Sequence, residues 1–171
     1  MADNYLEKKM EDYLRGKRAF GATSPASLHA HGTAHNAGKQ MFRNNKFCIV
    51  ACGAEEEGLR LVSELLERGA AVAVFIGSRK MSPQFVNIGA RVYRVEEEDM
   101  PAMEEKFTSM MRHYFNLRAV CNLSPLISDD RLRVAIDAYE SSLPLPPANP
   151  TRLVSGTPET VLHTLSQFVK K

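Results

Sequence analysis

The chain of 171 residues has no tryptophan, only three cysteines, and no apolar run that approaches a membrane span of ~18 residues. Cys48, Cys52 and Cys121 lie in apolar, strand-like surroundings, so we do not expect a disulfide framework. The N-terminus also lacks the apolar core of a signal peptide. These absences predict a cytoplasmic, reduced protein with no membrane partner.

An excess of charge of one sign is lacking too, because the net charge is only +2. Residues 1–46 carry eight Lys or Arg against four Asp or Glu, which is +4. Residues 47–171 carry fourteen against sixteen, which is −2. A separation this small is not typical of proteins that bind nucleic acid, so no such partner is predicted.

The N-terminal residues 1–16 are predicted to form an amphipathic helix. Asn4 and Glu7 have the spacing of a capping box, and Gly16 is a suitable stop. The apolar residues fall on one stripe at helical spacing: Leu6, Met10, Tyr13 and Leu14. Such a helix either docks on its own domain or serves a subunit partner through residues 4–14, and both alternatives stay open.

Residues 17–46 are predicted to form a flexible linker or arm. They are rich in Gly, Ala, Ser, Asn and His and show no sustained period. His29, His31 and His35 have a spacing that is able to collect a transition metal, but not the fixed pair geometry of known zinc motifs. We therefore interpret the segment as a solvated tether and predict no metal.

From residue 47 to 171 strands and helices alternate, which predicts one α/β domain. The strand cores are continuous apolar runs such as CIVA and VAVFI, typical of parallel strands buried on both faces. The fold class is a three-layer doubly wound sandwich with about five parallel strands in the Rossmann-like order 3-2-1-4-5. The flavodoxin-like order 2-1-3-4-5 is the alternative. Predicted strands are Phe47–Ala51, Ala71–Ile76, Arg91–Val95, Arg118–Cys121 and Arg152–Ser155; predicted helices are Gly58–Arg68, Ser82–Ile88, Pro101–Phe115, Asp129–Ser141 and Pro158–Val169.

The strand–turn–helix that starts at Phe47 carries the most specific pattern. Laid against V-T-G-G-x-x-G-x-G-x-x-x-V, it keeps Gly53, which predicts a tight turn, and Gly58, which predicts close packing, while Cys52 and Glu56 replace two glycines. After the fourth strand, N-L-S-P beginning at Asn122 stands in the place of N-N-A-G. Over residues 47–125, about half of the chain, the sequence resembles the first half of a short-chain dehydrogenase/reductase in degenerate, shortened form.

The resemblance implies an NAD(P) site built on Gly53, Gly58 and Asn122, with the pyrophosphate at the helix N-terminus. It also places Ser78, Arg79 and Lys80 where NADP-preferring members bind the 2′-phosphate. Against this, Glu55, Glu56 and Glu57 lie on the phosphate loop. The repulsion between one carboxylate and one phosphate charge at 4 Å is ~4 kcal/mol at an effective dielectric of about 20. We favour the interpretation that Arg79 and Lys80 pair with these glutamates and neutralise the rim.

Catalytic residues of the resembled family are not found where the resemblance would place them. The Tyr-x-x-x-Lys acid/base pair lies on a helix after the fifth strand in that family, but the last helix here contains no tyrosine. Tyr114 is followed four residues later by Arg118, and Tyr139 by Leu143. We therefore predict no catalytic residue, and we consider a divalent cation at the acidic run Glu96–Asp99 less favoured than solvated charges.

The sequence thus favours a non-catalytic Rossmann-like domain with a structural, assembly or regulatory role and no cofactor. The alternative is an NADP(H)-binding oxidoreductase, or a subunit of one. As partners we predict a second copy of the chain or a full-length short-chain-dehydrogenase-like relative.

Overall fold

The computed structural model describes residues 40–95, 100–114 and 116–169. Five parallel strands form one sheet in the order β3-β2-β1-β4-β5. The strands are β1 Lys46–Val50, β2 Ala71–Ile76, β3 Arg91–Arg94, β4 Ala119–Asn122 and β5 Arg152–Ser155. The helices are α1 Glu55–Glu67, α2 Ser82–Asn87, α3 Met100–His113, α4 Asp129–Ser141 and α5 Pro158–Val169.

The strand order confirms the Rossmann-like prediction and excludes the flavodoxin-like alternative. β1 pairs with β2 on one side and with β4 on the other, so the order reverses between β1 and β4. In such sheets the ligand crevice lies at the carboxyl ends of the strands beside this reversal. The carboxyl edge of β1 and β4 is therefore where a functional site is sought first.

Two apolar layers cover the sheet, one on each face. Along β1, Phe47 and Ile49 point to the first layer, while Cys48 and Val50 point to the second. Residues of α1, α2 and α5 complete the first layer, and residues of α3 and α4 complete the second. Because both faces are covered, the central strands are continuous apolar runs, and the predicted three-layer sandwich is confirmed.

The helix α1 begins three residues earlier than predicted, at Glu55 instead of Gly58. The glutamates at positions 55, 56 and 57 therefore belong to its first turn and not to a loop. Ala54, which precedes them, provides no side-chain cap. Acidic side chains in the first turn complement the partial positive charge of the helix N-terminus, which compensates for the missing cap.

The folded domain also begins earlier than the predicted boundary at residue 47. Phe42 is completely buried, and its ring meets that of Phe47 edge-to-face at 5.4 Å between centroids. Its backbone N–H donates to the Arg68 carbonyl at 2.9 Å. The predicted linker 17–46 therefore ends too late, because residues 40–46 are part of the domain. The burial of Phe42 was not predicted, because this aromatic residue is not part of a periodic apolar pattern in the sequence.

Several predictions fall on residues outside the described ranges. They are the helix over 1–16, the three histidines at 29, 31 and 35, and the acidic run 96–99. Among the described residues no helix is long and apolar enough to cross a membrane. The same ranges contain no group of three or more His, Cys, Asp or Glu side chains placed to hold a metal ion.

The position of α1 over the sheet depends on Gly58. A Cβ atom at Gly58 would lie 2.5 Å from the Cβ atom of Ala51, closer than two such atoms approach in proteins. Gly58 is buried in the first half of α1, and Ala51 directly follows β1. The absence of a side chain therefore lets the start of the helix lie against the end of the central strand, as the sequence predicted.

We predict that Gly58→Ala lowers the free energy of unfolding by about 1–3 kcal/mol, the usual cost of overpacking. This is expected although alanine is favoured over glycine in a helix by about 1 kcal/mol. In an Ala51→Gly background the same substitution is expected to be neutral or stabilising, because the opposing methyl group is gone. Urea unfolding of the four chains measures this coupling; an equal cost of Gly58→Ala in both backgrounds would contradict the steric explanation.

Candidate functional site at the carboxyl edge of the sheet

The turn after β1 lies beneath side chains from the loop between β4 and α4. Gly53 adopts φ +80°, a conformation that favours glycine, as predicted for this turn. A Cβ atom at Gly53 would lie 3.0 Å from Leu126 Cδ1 and 3.4 Å from Pro125 Cγ. Leu126 and Pro125 therefore lie close beside the turn, although Gly53 itself is exposed. A dinucleotide needs the backbone of this turn to approach its pyrophosphate closely.

Ser124 ties this loop to the turn after β1. Its hydroxyl donates to the carbonyl of Cys52 at 2.5 Å. The same oxygen accepts from the backbone N–H groups of Leu126 at 3.1 Å and Ile127 at 3.3 Å. One hydroxyl therefore holds three backbone groups, and it fixes Leu126 beside Gly53.

Asn122, a candidate cofactor residue, is occupied by bonds within its own loop. Its Nδ2 donates to the Ile127 carbonyl at 2.9 Å and to Asp129 Oδ1 at 2.7 Å. Its Oδ1 accepts from the Ser124 N–H at 3.0 Å. The side chain is 7% exposed, and both amide hydrogens and the amide oxygen have partners. Asn122 therefore organises the loop after β4.

The carboxylate of Asp129 connects this loop to the end of β5. Its pKa is held below the usual range, first by the hydrogen bond from Asn122 and then by one from Ser155. Both bonds favour the charged form, and Arg133 adds a smaller attraction. The ends of β4 and β5 are thus joined through one ionised side chain at the start of α4.

The loop after β2 holds a second carboxylate. Glu55 Oε1 accepts from the backbone N–H groups of Gly77 and Ser78, each at 3.1 Å. Two convergent N–H groups are an anion-binding arrangement, and here the anion is the chain's own side chain. Arg79 and Lys80 follow directly and are exposed. The donors recorded for Glu55 are backbone groups, so ion pairing of Arg79 and Lys80 with the glutamates stays a prediction.

The three cysteines do not form a reactive pair at this edge. All three are buried, and none of them forms a disulfide. Cys52 lies in the layer of α3 and α4, whereas Cys121 lies in the layer of α1 and α5, on the opposite face. Burial raises the pKa of Cys48 and of Cys121, which keeps both thiols protonated. This agrees with the interpretation that these cysteines are inert core residues.

No protein-family model and no curated protein sequence matches the chain. It is similar to solved structures, among them a Serratia marcescens short-chain dehydrogenase/reductase variant, with 16% identity, a TM-score of 0.43, and coverage of 56% of this chain and 44% of the other. A second is an enoyl-(acyl-carrier-protein) reductase from Anaplasma phagocytophilum in complex with NAD. Its sequence identity is 16% and the TM-score is 0.38, and the match covers 48% of this chain and 34% of the reductase. A third is a mycobacterial protein complexed with NADPH. Its sequence identity is 14% and the TM-score is 0.39, and the match covers 75% of this chain and 45% of that protein.

The matched part spans less than half of each of these three proteins. With TM-scores of 0.43 or lower, the likeness says nothing of ligand or activity. The Rossmann-like fold rests instead on the strand order and register of the chain itself.

Three residues that organise this edge were not singled out from the sequence. Leu126 and Pro125 lie beside the glycine turn, and Asp129 joins two strand ends. For Asp129 a signal was present, since an acid follows Ser128 at the start of a predicted helix. For Leu126, an apolar residue in a short loop, the sequence carried no comparable signal.

We predict that Asp129→Asn, which keeps an oxygen acceptor but removes the charge, lowers stability at pH 7 by about 1 kcal/mol, a value reduced for solvent exposure. The folded-state pKa of Asp129 is lowered, so its contribution is present above the unfolded pKa of about 3.9. It is lost as the pH falls through the lower folded value.

The difference in urea stability between the parent and Asp129→Asn should therefore shrink between pH 7 and pH 3. The control is Asp137→Asn, an exposed position on the same helix, expected to change stability little at either pH. A difference for Asp129→Asn that stays constant over this range would contradict the assigned role.

Proposed function

We propose that this chain is a non-catalytic, short-chain-dehydrogenase-like Rossmann domain with a structural, assembly or regulatory role. The observation that carries the proposal is the contact of Leu126 and Pro125 with Gly53 over the turn after β1. Dinucleotides require the backbone of this turn to approach their pyrophosphate closely. In this chain two apolar side chains lie 3.0 and 3.4 Å from the position that a Cβ atom of Gly53 would take, and they narrow the space beside the turn.

Electrostatics supports the same proposal. A pyrophosphate at the start of α1 would meet the three glutamates of the first turn instead of an open helix N-terminus. The favourable effect of a helix terminus is about 0.3–1 kcal/mol, up to ~2 kcal/mol in partly buried sites. A single like-charge pair at 4 Å costs ~4 kcal/mol at an effective dielectric of about 20. Repulsion therefore outweighs the attraction of the helix.

The described tyrosines also give little support for acid/base chemistry. A tyrosine that exchanges protons near neutral pH needs a lowered pKa. Burial raises the pKa of Tyr93 and of Tyr114, which is the opposite direction. Tyr139 is 8% exposed and packs in the core. We therefore assign no catalytic residue among the described tyrosines.

NADP(H) binding is the second candidate function, and one observation favours it. The N–H groups of Gly77 and Ser78 already bind a carboxylate, and Arg79 and Lys80 are exposed directly after them. If Glu55 left this position, the same groups would be available to a phosphate monoester. The candidate cofactor residues Ser78, Arg79 and Lys80 thus lie beside this pair of N–H groups.

Titration with NADPH separates the two functions. We expect no heat of binding to the full chain in calorimetry at millimolar NADPH, because the ligand must displace Leu126 and oppose the glutamates. Micromolar binding that weakens in Arg79→Glu would overturn the proposal and establish the second candidate.

The variant Glu55→Gln serves as a control for the anion site. It keeps an oxygen acceptor for the two N–H groups but removes the negative charge at the start of α1. Because Leu126 still lies beside Gly53 in this variant, we expect Glu55→Gln to remain without NADPH binding. Binding gained in this variant would show that the charge of Glu55, and not the apolar side chains beside Gly53, prevents binding.

For the assembly role we propose a second copy of the chain, or a full-length short-chain-dehydrogenase-like relative, as the partner. The contact is proposed to involve residues 4–14. Their apolar stripe includes Leu6 and Met10, and burying such side chains contributes about 1.5–3 kcal/mol each.

We predict that Leu6→Lys with Met10→Lys weakens self-association at least about a hundredfold in analytical ultracentrifugation, since two buried apolar side chains are lost. The matched control is Glu11→Lys with Asp12→Lys, which introduces the same two side chains away from the apolar stripe. It is expected to associate as the parent does. An equal effect of both pairs, or a parent that is monomeric at micromolar concentration, would argue against the second copy as partner.

A further inference from the structure

A cavity of about 250 Å³ lies at the opposite, amino edge of the sheet, beside β4 and β5. Its walls come from Leu117 before β4, Tyr139 and Glu140 in the last turn of α4, and Thr151 before β5. The loop from residue 142 to 150 completes it with Leu143, Pro144 and Pro147. This edge has no part in the site described above.

Hydrogen bonds connect the elements that line the cavity. The Thr151 N–H donates to Glu140 Oε1 at 2.7 Å, and the Thr151 hydroxyl donates to the Leu117 carbonyl at 3.3 Å. The Ser142 hydroxyl donates to the Tyr139 carbonyl at 2.6 Å. The prolines restrict the loop further because each fixes its own φ angle. A ligand would therefore meet a largely pre-formed site, which reduces the ordering cost of binding.

Negative potential in this cavity is not balanced by a cationic side chain. Glu140 is the only ionisable acid among the lining residues, and none of them is Lys, Arg or His. The ion pairs recorded among the described residues do not include Glu140. The last turn of α4 carries no basic residue, and a helix C-terminus adds about half a negative charge. A half-buried carboxylate in such a place favours a cation.

The volume and the lining residues of the cavity restrict the size and polarity of a ligand that places a cation beside Glu140. A dry apolar cavity of about 150 Å³ accommodates benzene, and drug-sized pockets begin at about 300 Å³. The present cavity fits one ring or a branched chain with a short polar extension. Its leucine and proline walls and the ring of Tyr139 favour an apolar body.

We propose that this cavity binds small apolar amines, with the ammonium group on Glu140 and the apolar body against Leu117, Leu143 and Tyr139. The ammonium is positioned by the second oxygen of the carboxylate, while Oε1 keeps its bond to the Thr151 N–H. The proposal does not depend on the carboxyl edge, so it holds whether or not that edge binds a dinucleotide.

Phenethylamine, 2-phenylethanol and phenylacetate test the proposal, because they share a ring and differ in charge. In titrations of the full chain followed by backbone amide NMR, phenethylamine is expected to bind at least about tenfold more tightly than the alcohol. Phenylacetate is expected not to bind. The shifted amides should include those of Leu117, Glu140 and Thr151. Equal affinity for amine and alcohol, or shifts confined to other residues, would overturn the proposal.

The variant Glu140→Gln isolates the charge, because its amide oxygen still accepts from Thr151. It is expected to lose about tenfold or more in affinity for phenethylamine and to leave 2-phenylethanol unchanged. Asp137→Asn, on the same helix and outside the cavity, is the matched control and should bind as the parent does. If Glu140→Gln fails to fold, the ligand series on the parent chain still decides, and unchanged amine binding in a folded Glu140→Gln would refute the ion pair.

Discussion

The close approach of α1 to the end of β1 is the constraint on which the carboxyl edge depends. With no side chain at Gly58, the helix start lies directly against Ala51. This position brings the first turn of α1 within reach of the neighbouring strand, so Glu55 accepts from the N–H groups of Gly77 and Ser78. A helix displaced by one methyl group would carry this carboxylate away from both donors. Packing at one glycine thus helps to place the carboxylate of Glu55 at this edge.

The polar groups at this edge are bonded to one another. Ser124 bonds to the turn after β1, Asn122 to its own loop and to Asp129, and Asp129 to Ser155. These are positions at which an α/β sheet of this order would bind a ligand. Because buried polar groups must have partners, these bonds satisfy groups that would otherwise be unpaired. The network therefore joins the ends of β1, β4 and β5 at this edge of the sheet.

The sequence predicted what depends on local pattern and on burial. Continuous apolar runs predicted the parallel sheet, and Gly53 and Gly58 predicted the tight turn and the close packing. The position of Leu126 beside Gly53 was not predictable, because it depends on a loop that Ser124 holds in place. The hydrogen-bond partner of Ser124 is the Cys52 carbonyl, 72 residues away in the sequence. The burial of Phe42 was missed for a similar reason, because a single aromatic has no period.

The two edges of the sheet place different demands on a ligand. At the carboxyl edge a ligand must break existing bonds, and the two from Glu55 involve a charged acceptor, which makes each worth about 1.5–3 kcal/mol. At the amino edge the proposed ammonium group takes the second carboxylate oxygen of Glu140, so the bond from the Thr151 N–H to Oε1 is kept. The proposed amine site therefore requires less rearrangement than a ligand would require at the carboxyl edge, where the resembled family binds its cofactor.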